Sequence, residues 1–239
     1  MRKSFKLVIG ICIVASATVL FMFSPFFTIT DVTITGCETV QMQEIIERAG
    51  LSGPVNFFTY SANKAKTRIK ENLYIKGLSV SKEIPNSVHI SVTERRPCGY
   101  VEYMQGKYLY IDDDGFIIEI KSDIDKSLPI VTGIAFDKFQ LGKCLDVDDP
   151  SAFKAVVTYA RMLLKHELID VVSYIDISDT HNTVIRIYNI EVQIGDTNNA
   201  DEKIRTMKAV IDTLPNMDSI RGFLDIREIS SQYIFKLLT

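Results

Sequence analysis

Hydrophobic and polar positions along the chain fall into three regimes. A charge-free apolar run comes first, then short amphipathic helical stretches between alternating strands, then strands around two longer helices. The apolar run is Leu7–Phe27, LVIGICIVASATVLFMFSPFF, and no charge appears from Leu7 through Thr30. At 1.5 Å of rise per residue, a helix over it reaches about 31 Å, close to the ~30 Å hydrocarbon core of a bilayer. Arg2, Lys3 and Lys6 precede it, and Asp31 is the first charge after it. Positive charge ahead of the span predicts a cytoplasmic tail of residues 1–6 and translocation of everything after Phe27. The alternative is a cleaved signal peptide with Ala15-Ser16-Ala17 as the small-residue site. Against it, apolar residues resume as Val19-Leu20-Phe21-Met22-Phe23, and Pro25, Thr28 and Thr30 stop the run at membrane length. The run is therefore read as a transmembrane anchor; both readings put residues 28–239 outside the cytoplasm.

After the span, Phe27–Thr35 alternates apolar and polar residues with many β-branched side chains, the pattern of a strand ended by Gly36. Thr39 is placed to cap a short helix in which Val40, Met42, Ile45, Ile46 and Ala49 form one stripe and Gly50 the stop. A second helix carries Ala62, Ala65 and Ile69 on one face and Lys64, Lys66, Arg68 and Lys70 around the rest. That basic side reads either as an ordinary solvated face or as a contact to anionic lipid headgroups. LYIKGLSVSKEI and SVHISVTER read as strands joined at Pro85-Asn86, an antiparallel hairpin. The order β-α-α-β-β is most compactly buried as one mixed sheet with both helices on one face.

The second half continues with a hairpin over Tyr108–Ile120 around Asp113-Asp114-Gly115, then Leu128-Pro129-Ile130-Val131-Thr132-Gly133 and Leu141-Gly142. Asp149-Pro150 opens a helix with Phe153, Val156, Val157, Ala160, Leu163 and Leu164 as its stripe. VVSYIDISD is a strand, and TVIRIYN and EVQIGD form a hairpin around Asn189. A last helix follows, with Asn199 as cap, Asp201 and Glu202 at its positive end, and Ile204, Met207, Ile211 and Leu214 as its stripe. Gly222–Arg227 is a strand, and SSQYIFKLLT a short final strand or tail.

The phrases ITDVTITGCETVQMQEIIERAGL and VSKEIPNSVHISVTERRPCGYV, the second with its Val92-Thr93-Glu94-Arg95-Arg96-Pro97 exit, resemble the opening and closing of a POTRA domain. A lone POTRA directly after one membrane anchor resembles the FtsQ/DivIB cell-division family. The Asp-Gly hairpin, the LPIVTG segment, Lys203 in its helix and the strand motif Asp225-Ile226-Arg227 resemble that family's second domain. The tail of six residues is shorter than in many members, and the glycine shortly after the Asp-Leu-Arg strand is absent here. The resemblance implies an α+β fold: an N-terminal transmembrane helix at 7–27, a POTRA domain at 28–95, and a mixed β-rich domain with two helices at 96–239. It also implies a non-enzymatic divisome scaffold at the septum, binding FtsB/DivIC-like and FtsL-like proteins through a C-terminal strand. The residues assigned to that contact are Ile229, Tyr233, Ile234, Phe235, Lys236 and Leu237, with Tyr233 and Phe235 filling pockets of the partner. A second, weaker contact is expected on the POTRA domain.

Charge changes this picture only by exclusion. Of 27 Lys and Arg, three precede the span, while all 30 Asp and Glu follow it, so the exported part carries a net charge of about −6. That balance argues against a nucleic-acid partner. Cys37, Cys98 and Cys144 are too widely spaced for a zinc knuckle or a redox pair; they allow at most one bridge, of a pairing that spacing does not give, and otherwise read as small buried hydrophobes. His89, His166 and His181 are scattered, and no nucleophile or metalloprotease motif occurs. The aspartates around Gly115 lack the ligand spacing of a calcium loop. No catalytic residue, metal, cofactor or small-molecule substrate is expected. The rivals are an anchored cell-wall hydrolase, which would bring Asp113, Asp114 or Asp225 to His181 in a cleft, and a POTRA-type assembly chaperone.

Overall fold

The computed structural model describes residues 2–214, 220–229 and 234–237. They form two compact units, Met1–Arg95 and Arg96–Thr239. In the first, helix α1 spans Arg2–Met22. Its stretch Phe5–Met22 has a mean hydropathy of 2.3 with none of it buried, so the protein has an N-terminal helix long and apolar enough to cross a membrane. The helix ends five residues before the expected limit at Phe27. Pro25 disfavours a helical conformation for the residue before it, and Ser24 is extended. A single 3₁₀ turn, Pro25–Phe27, follows, and Phe27 is buried in the globular core. A charge-free run does not distinguish exposed apolar side chains from those of a core; here it contains both.

Strand β1 (Asp31–Thr35), helices α2 (Met42–Ala49) and α3 (Ala62–Ile69) and the hairpin β2 (Ile75–Glu83) and β3 (Ser87–Glu94) follow. The sheet order is β1-β3-β2. β1 runs parallel to β3, with Val32 opposite Val88, and β2 runs antiparallel to it. Ile45 and Ala49 of α2, Ala65 and Ile69 of α3, and Val80, Val88, Ile90 and Val92 of the sheet close the core. Gly50 stops α2 in the left-handed conformation, as expected. Thr39 does not cap that helix. The backbone N–H groups of Glu38, Thr39 and Val40 instead donate to the Glu94 carboxylate at 2.9, 2.9 and 3.0 Å. Burial pushes the Glu94 carboxyl up, but the three amides outweigh it and leave the group below its usual range.

The second unit contains β4 (Gly99–Met104), β5 (Lys107–Ile111), β6 (Ile117–Lys121) and β7 (Ile130–Thr132), then α4 (Pro150–Lys165) and β8 (Val172–Asp176). β9 (Thr183–Ile187), β10 (Ile190–Gly195), α5 (Ala200–Thr213), β11 (Gly222–Asp225) and β12 (Ile234–Leu237) complete it. Its strands form one mixed sheet in the order β12-β11-β10-β9-β8-β7-β4-β5-β6. α4 and α5 share one core with the inward residues of the sheet, among them Leu109, Ile111, Ile185, Ile187, Val192 and Leu224. Asp149 caps α4 by accepting from the Ser151 N–H at 2.8 Å. Asn199 does not cap α5: it lies in the left-handed region at φ 53° and its side chain makes no capping bond. Asp201 in the first turn of α5 instead accepts from Lys165 and pairs with His166 at the end of α4, at 2.7 and 2.8 Å. An anion at one helix's positive end and the Lys165 cation at the other's negative end favour this junction through both dipoles.

Candidate partner-binding edge

The strands β10, β11 and β12 build one margin of the large sheet. β11 runs parallel to β10, with Leu224 opposite Val192, and β12 runs antiparallel to β11, with Phe235 opposite Leu224. Gly222 makes this approach possible. A Cβ there would lie 2.7 Å from the Phe235 ring and 3.3 Å from the Lys236 carbonyl oxygen. The exit of β11 is tied down on the other side. Arg227 donates to Asp225 through Nε at 3.0 Å and Nη2 at 2.6 Å, and this pairing holds the Asp225 carboxyl below its usual range. Ile226 is buried and its N–H donates to the Gln193 carbonyl at 2.9 Å. The Arg227 side chain lies across Gly195, where a Cβ would sit 3.1 Å from its Cγ.

The expected contact residues divide. Phe235 is half-buried and packed against its own core. Lys236 is exposed, and Leu237 (67 %) and Ile229 (37 %) are exposed apolar residues. Ile234 opens the strand, and Tyr233 lies outside the described residues. Among the described residues, no segment pairs with the outer side of β12. An edge of this kind presents backbone N–H and C=O groups that a further strand can use.

Elsewhere, polar side chains serve the scaffold. Asp112, Asp113 and Asp114 bring carboxylate oxygens within 4.8 Å of one another. Asp112 is buried, and its Oδ1 accepts from the N–H groups of Asp114 and Phe116, closing the hairpin turn. Asp114 pairs with Arg161. His181 donates its N–H to Asp179 and its ring meets Thr180, while Asp225 is engaged by Arg227, so these groups do not converge as the hydrolase rival requires. His89 meets Glu83 at 3.1 Å. Sequence reasoning missed the buried polar knot at the β10–α5 turn. There the Tyr159 hydroxyl meets the carbonyls of Gly195 and Asp196 at 2.9 and 2.6 Å, with its phenol pushed up by burial. Buried Lys203 reaches back to the Asp196 carbonyl and carboxylate at 2.9 and 3.1 Å. The signal available was a tyrosine on an apolar helix stripe and a lysine one turn into a helix after Gly195-Asp196.

A membrane-length helix, a β-α-α-β-β module and a β-rich module define a POTRA-bearing class of protein with one N-terminal apolar helix. Family models agree in both halves: a POTRA domain of FtsQ type matches residues 27–95, and the FtsQ/DivIB C-terminal related domain matches residues 96–227. The chain belongs to the FtsQ/DivIB family, a family of cell-division proteins. It is similar to cell division protein DivIB of Clostridium tetani, with 25 % identity over 83 % of this chain and 74 % of the relative. It is likewise similar to DivIB of Clostridium botulinum, with 24 % identity over 94 % and 89 %. DivIB of Listeria monocytogenes is 29 % identical over 60 % and 52 %. β12 lies beyond the stretch that the second family model matches.

Proposed function

We propose that the chain is a non-enzymatic scaffold of septum formation, anchored by α1 with its N-terminus in the cytoplasm and both modules outside. The modules bind division partners of the FtsB/DivIC and FtsL type. The POTRA module comprises residues 28–95 with Phe27 at its base, and the partner-binding module residues 96–239. The observation that carries the reading is β12, a short outermost strand whose free side, with Lys236 and Leu237 beside it, is suited to strand addition by a partner. Ile229, Tyr233 and Ile234 extend the contact. Phe235 supports it from beneath by holding β12 to the core.

The test is capture of a DivIC-like partner by the membrane-reconstituted full chain, by a truncation after Arg227 and by Leu237→Asp. Leu237 is exposed, so its replacement leaves the core untouched. Both variants are expected to lose capture while keeping the circular dichroism of the parent. Unchanged capture by the folded truncation refutes strand addition at this edge. Mid-cell bands of a fluorescent fusion, against a uniform membrane signal, test the septal role.

A further inference from the structure

The POTRA module is apolar on the surface where it meets α1. Three segments converge there. The first is the turn Pro25–Phe27, in which Phe27 is buried and Phe26 is 60 % exposed. The second is the loop before α3. Asn56 Nδ2 donates to the Met22 carbonyl at 2.8 Å, and the Phe57 N–H to the Phe27 carbonyl at 2.7 Å. Phe58 meets the Phe27 ring at 4.9 Å between centroids and is still 40 % exposed. The third is the β2–β3 turn. Its Asn86 carbonyl accepts from the N–H groups of Thr30 and Asp31 at 3.1 and 3.4 Å, and Asn86 Nδ2 donates to Thr30 Oγ1 at 2.7 Å. Lys82 ties this hairpin to the loop, donating to the carbonyls of Phe57 and Tyr60 at 2.7 and 3.2 Å. In the turn itself stands Ile84, 70 % exposed, more than Leu237 at the open sheet edge. Turns favour Gly, Pro, Asn, Asp and Ser, so an exposed isoleucine there is not explained by turn chemistry.

What covers this surface follows from its continuity with α1 and from the length of that helix. The apolar stretch Phe5–Met22 has 18 residues. At 1.5 Å per residue it reaches about 27 Å, ~3 Å short of a ~30 Å hydrocarbon core. A span shorter than the core leaves its flanking residues at the bilayer boundary. On the module side those flanks are exposed Phe23 and Phe26, and the contacts above hold Phe58 and Ile84 at the same end of the small sheet. β1 and β3 both start at that end, with Asp31 opposite Ser87. The nearest acidic groups mark how deep it can go. Asp31 follows Thr30, and Glu83 directly precedes Ile84. Taking either carboxylate out of water is costly, so immersion stops at the apolar tips.

We propose that the base of the POTRA module is a membrane-interface surface. Phe26, Phe58 and Ile84 enter the boundary between headgroups and acyl chains of the bilayer that α1 crosses, a placement that rests on α1 being the anchor. The chain contains no tryptophan, so a single introduced one reports from one place. Phe58→Trp, Ile84→Trp, Met42→Trp and Val14→Trp each replace an exposed side chain, and circular dichroism checks their folding. Met42 opens α2, after β1 has run away from the junction, and Val14 lies within α1. The full chains are reconstituted in phosphatidylcholine vesicles that carry bromine near the headgroups, deep in the acyl chains, or nowhere. Shallow bromine should dim Phe58→Trp and Ile84→Trp about twofold and leave Met42→Trp unchanged, as for side chains ~5–10 Å into the boundary. Deep bromine should dim Val14→Trp. With Val14→Trp dimmed, a bright Phe58→Trp or Ile84→Trp overturns the proposal and leaves the anchor standing; that surface then faces water or another protein. Equal dimming of Met42→Trp overturns it as well, because the module then lies against the bilayer without using these tips. Val14→Trp bright in every vesicle overturns the anchor reading, and the proposal with it.

Discussion

The large sheet has two edges, and they are built to opposite ends. At β6 the outer side is covered at its start. Residues 142–145 run along it: the Ile117 N–H donates to the Lys143 carbonyl at 2.9 Å, the Gly142 N–H to the Ile117 carbonyl at 3.0 Å, and Phe116 bridges Cys144. Beyond the covered part, Glu119 and Lys121 form an ion pair, and Lys121 sits 4.9 Å over the Tyr110 ring. At β12 the strand has four residues, a single charge in Lys236, and an exposed Leu237. Folded proteins blunt their sheet edges with charge, bulges or covering loops because a bare edge recruits strands from other chains. Among the described residues, one edge of this sheet follows that rule and the other does not, and this contrast is what the proposed strand addition at β12 rests on.

The sharpest test of this contrast exchanges the same lesion between the edges. Leu237→Pro should weaken capture of a DivIC-like partner by at least about tenfold, through lost main-chain pairing, while Lys121→Pro leaves it within twofold. Equal losses in biolayer interferometry would erase the distinction. Gly222→Ala comes next. The new methyl meets the Phe235 ring and lifts β12, so urea denaturation should show a loss of about 1–3 kcal/mol, with weaker capture alongside. Opening the β6 edge is a smaller effect. Glu119→Val with Lys121→Val should leave stability within about 1 kcal/mol and raise self-association, read by light scattering. The smallest concerns pH. Asp225 titrates below its usual range in the folded chain, so the Arg227 pairing is fully present above the ordinary carboxylate range near 4 and is lost as pH falls through the lowered value. Asp225→Asn should flatten that acid limb by less than about 1 kcal/mol, because Arg227 is nearly half exposed.

Much of the fold was legible because period-3.6 and period-2 patterns are set by which face is buried. The stripes Ile45–Ala49, Ala65–Ile69 and Ile204–Met207–Ile211, and the hairpins at Pro85-Asn86 and Asp113–Gly115, lie where the pattern puts them. What was lost depended on distant partners. Thr39 looked like a helix cap because nothing local reveals that Glu94, far along the chain, takes its amide. The sequence pattern assigns no element to β4 or to the three-residue β7, since strands in the middle of a sheet borrow their definition from neighbours. At the candidate site, alternation shows that Phe235 and Leu237 share a face. Only the register against Leu224 and Gly222 shows that this face is the core side at Phe235 and runs out of cover at Leu237.

The join between α1 and the POTRA module has a mechanical consequence. With the Met22 carbonyl held by Asn56, and Phe27 wedged edge-on between the rings of Phe21 and Phe58 at 5.3 and 4.9 Å, the tether is a stiff stem with no slack at its collar. Any twist or lean of α1 is therefore handed to the POTRA module through these contacts rather than absorbed by a loose linker.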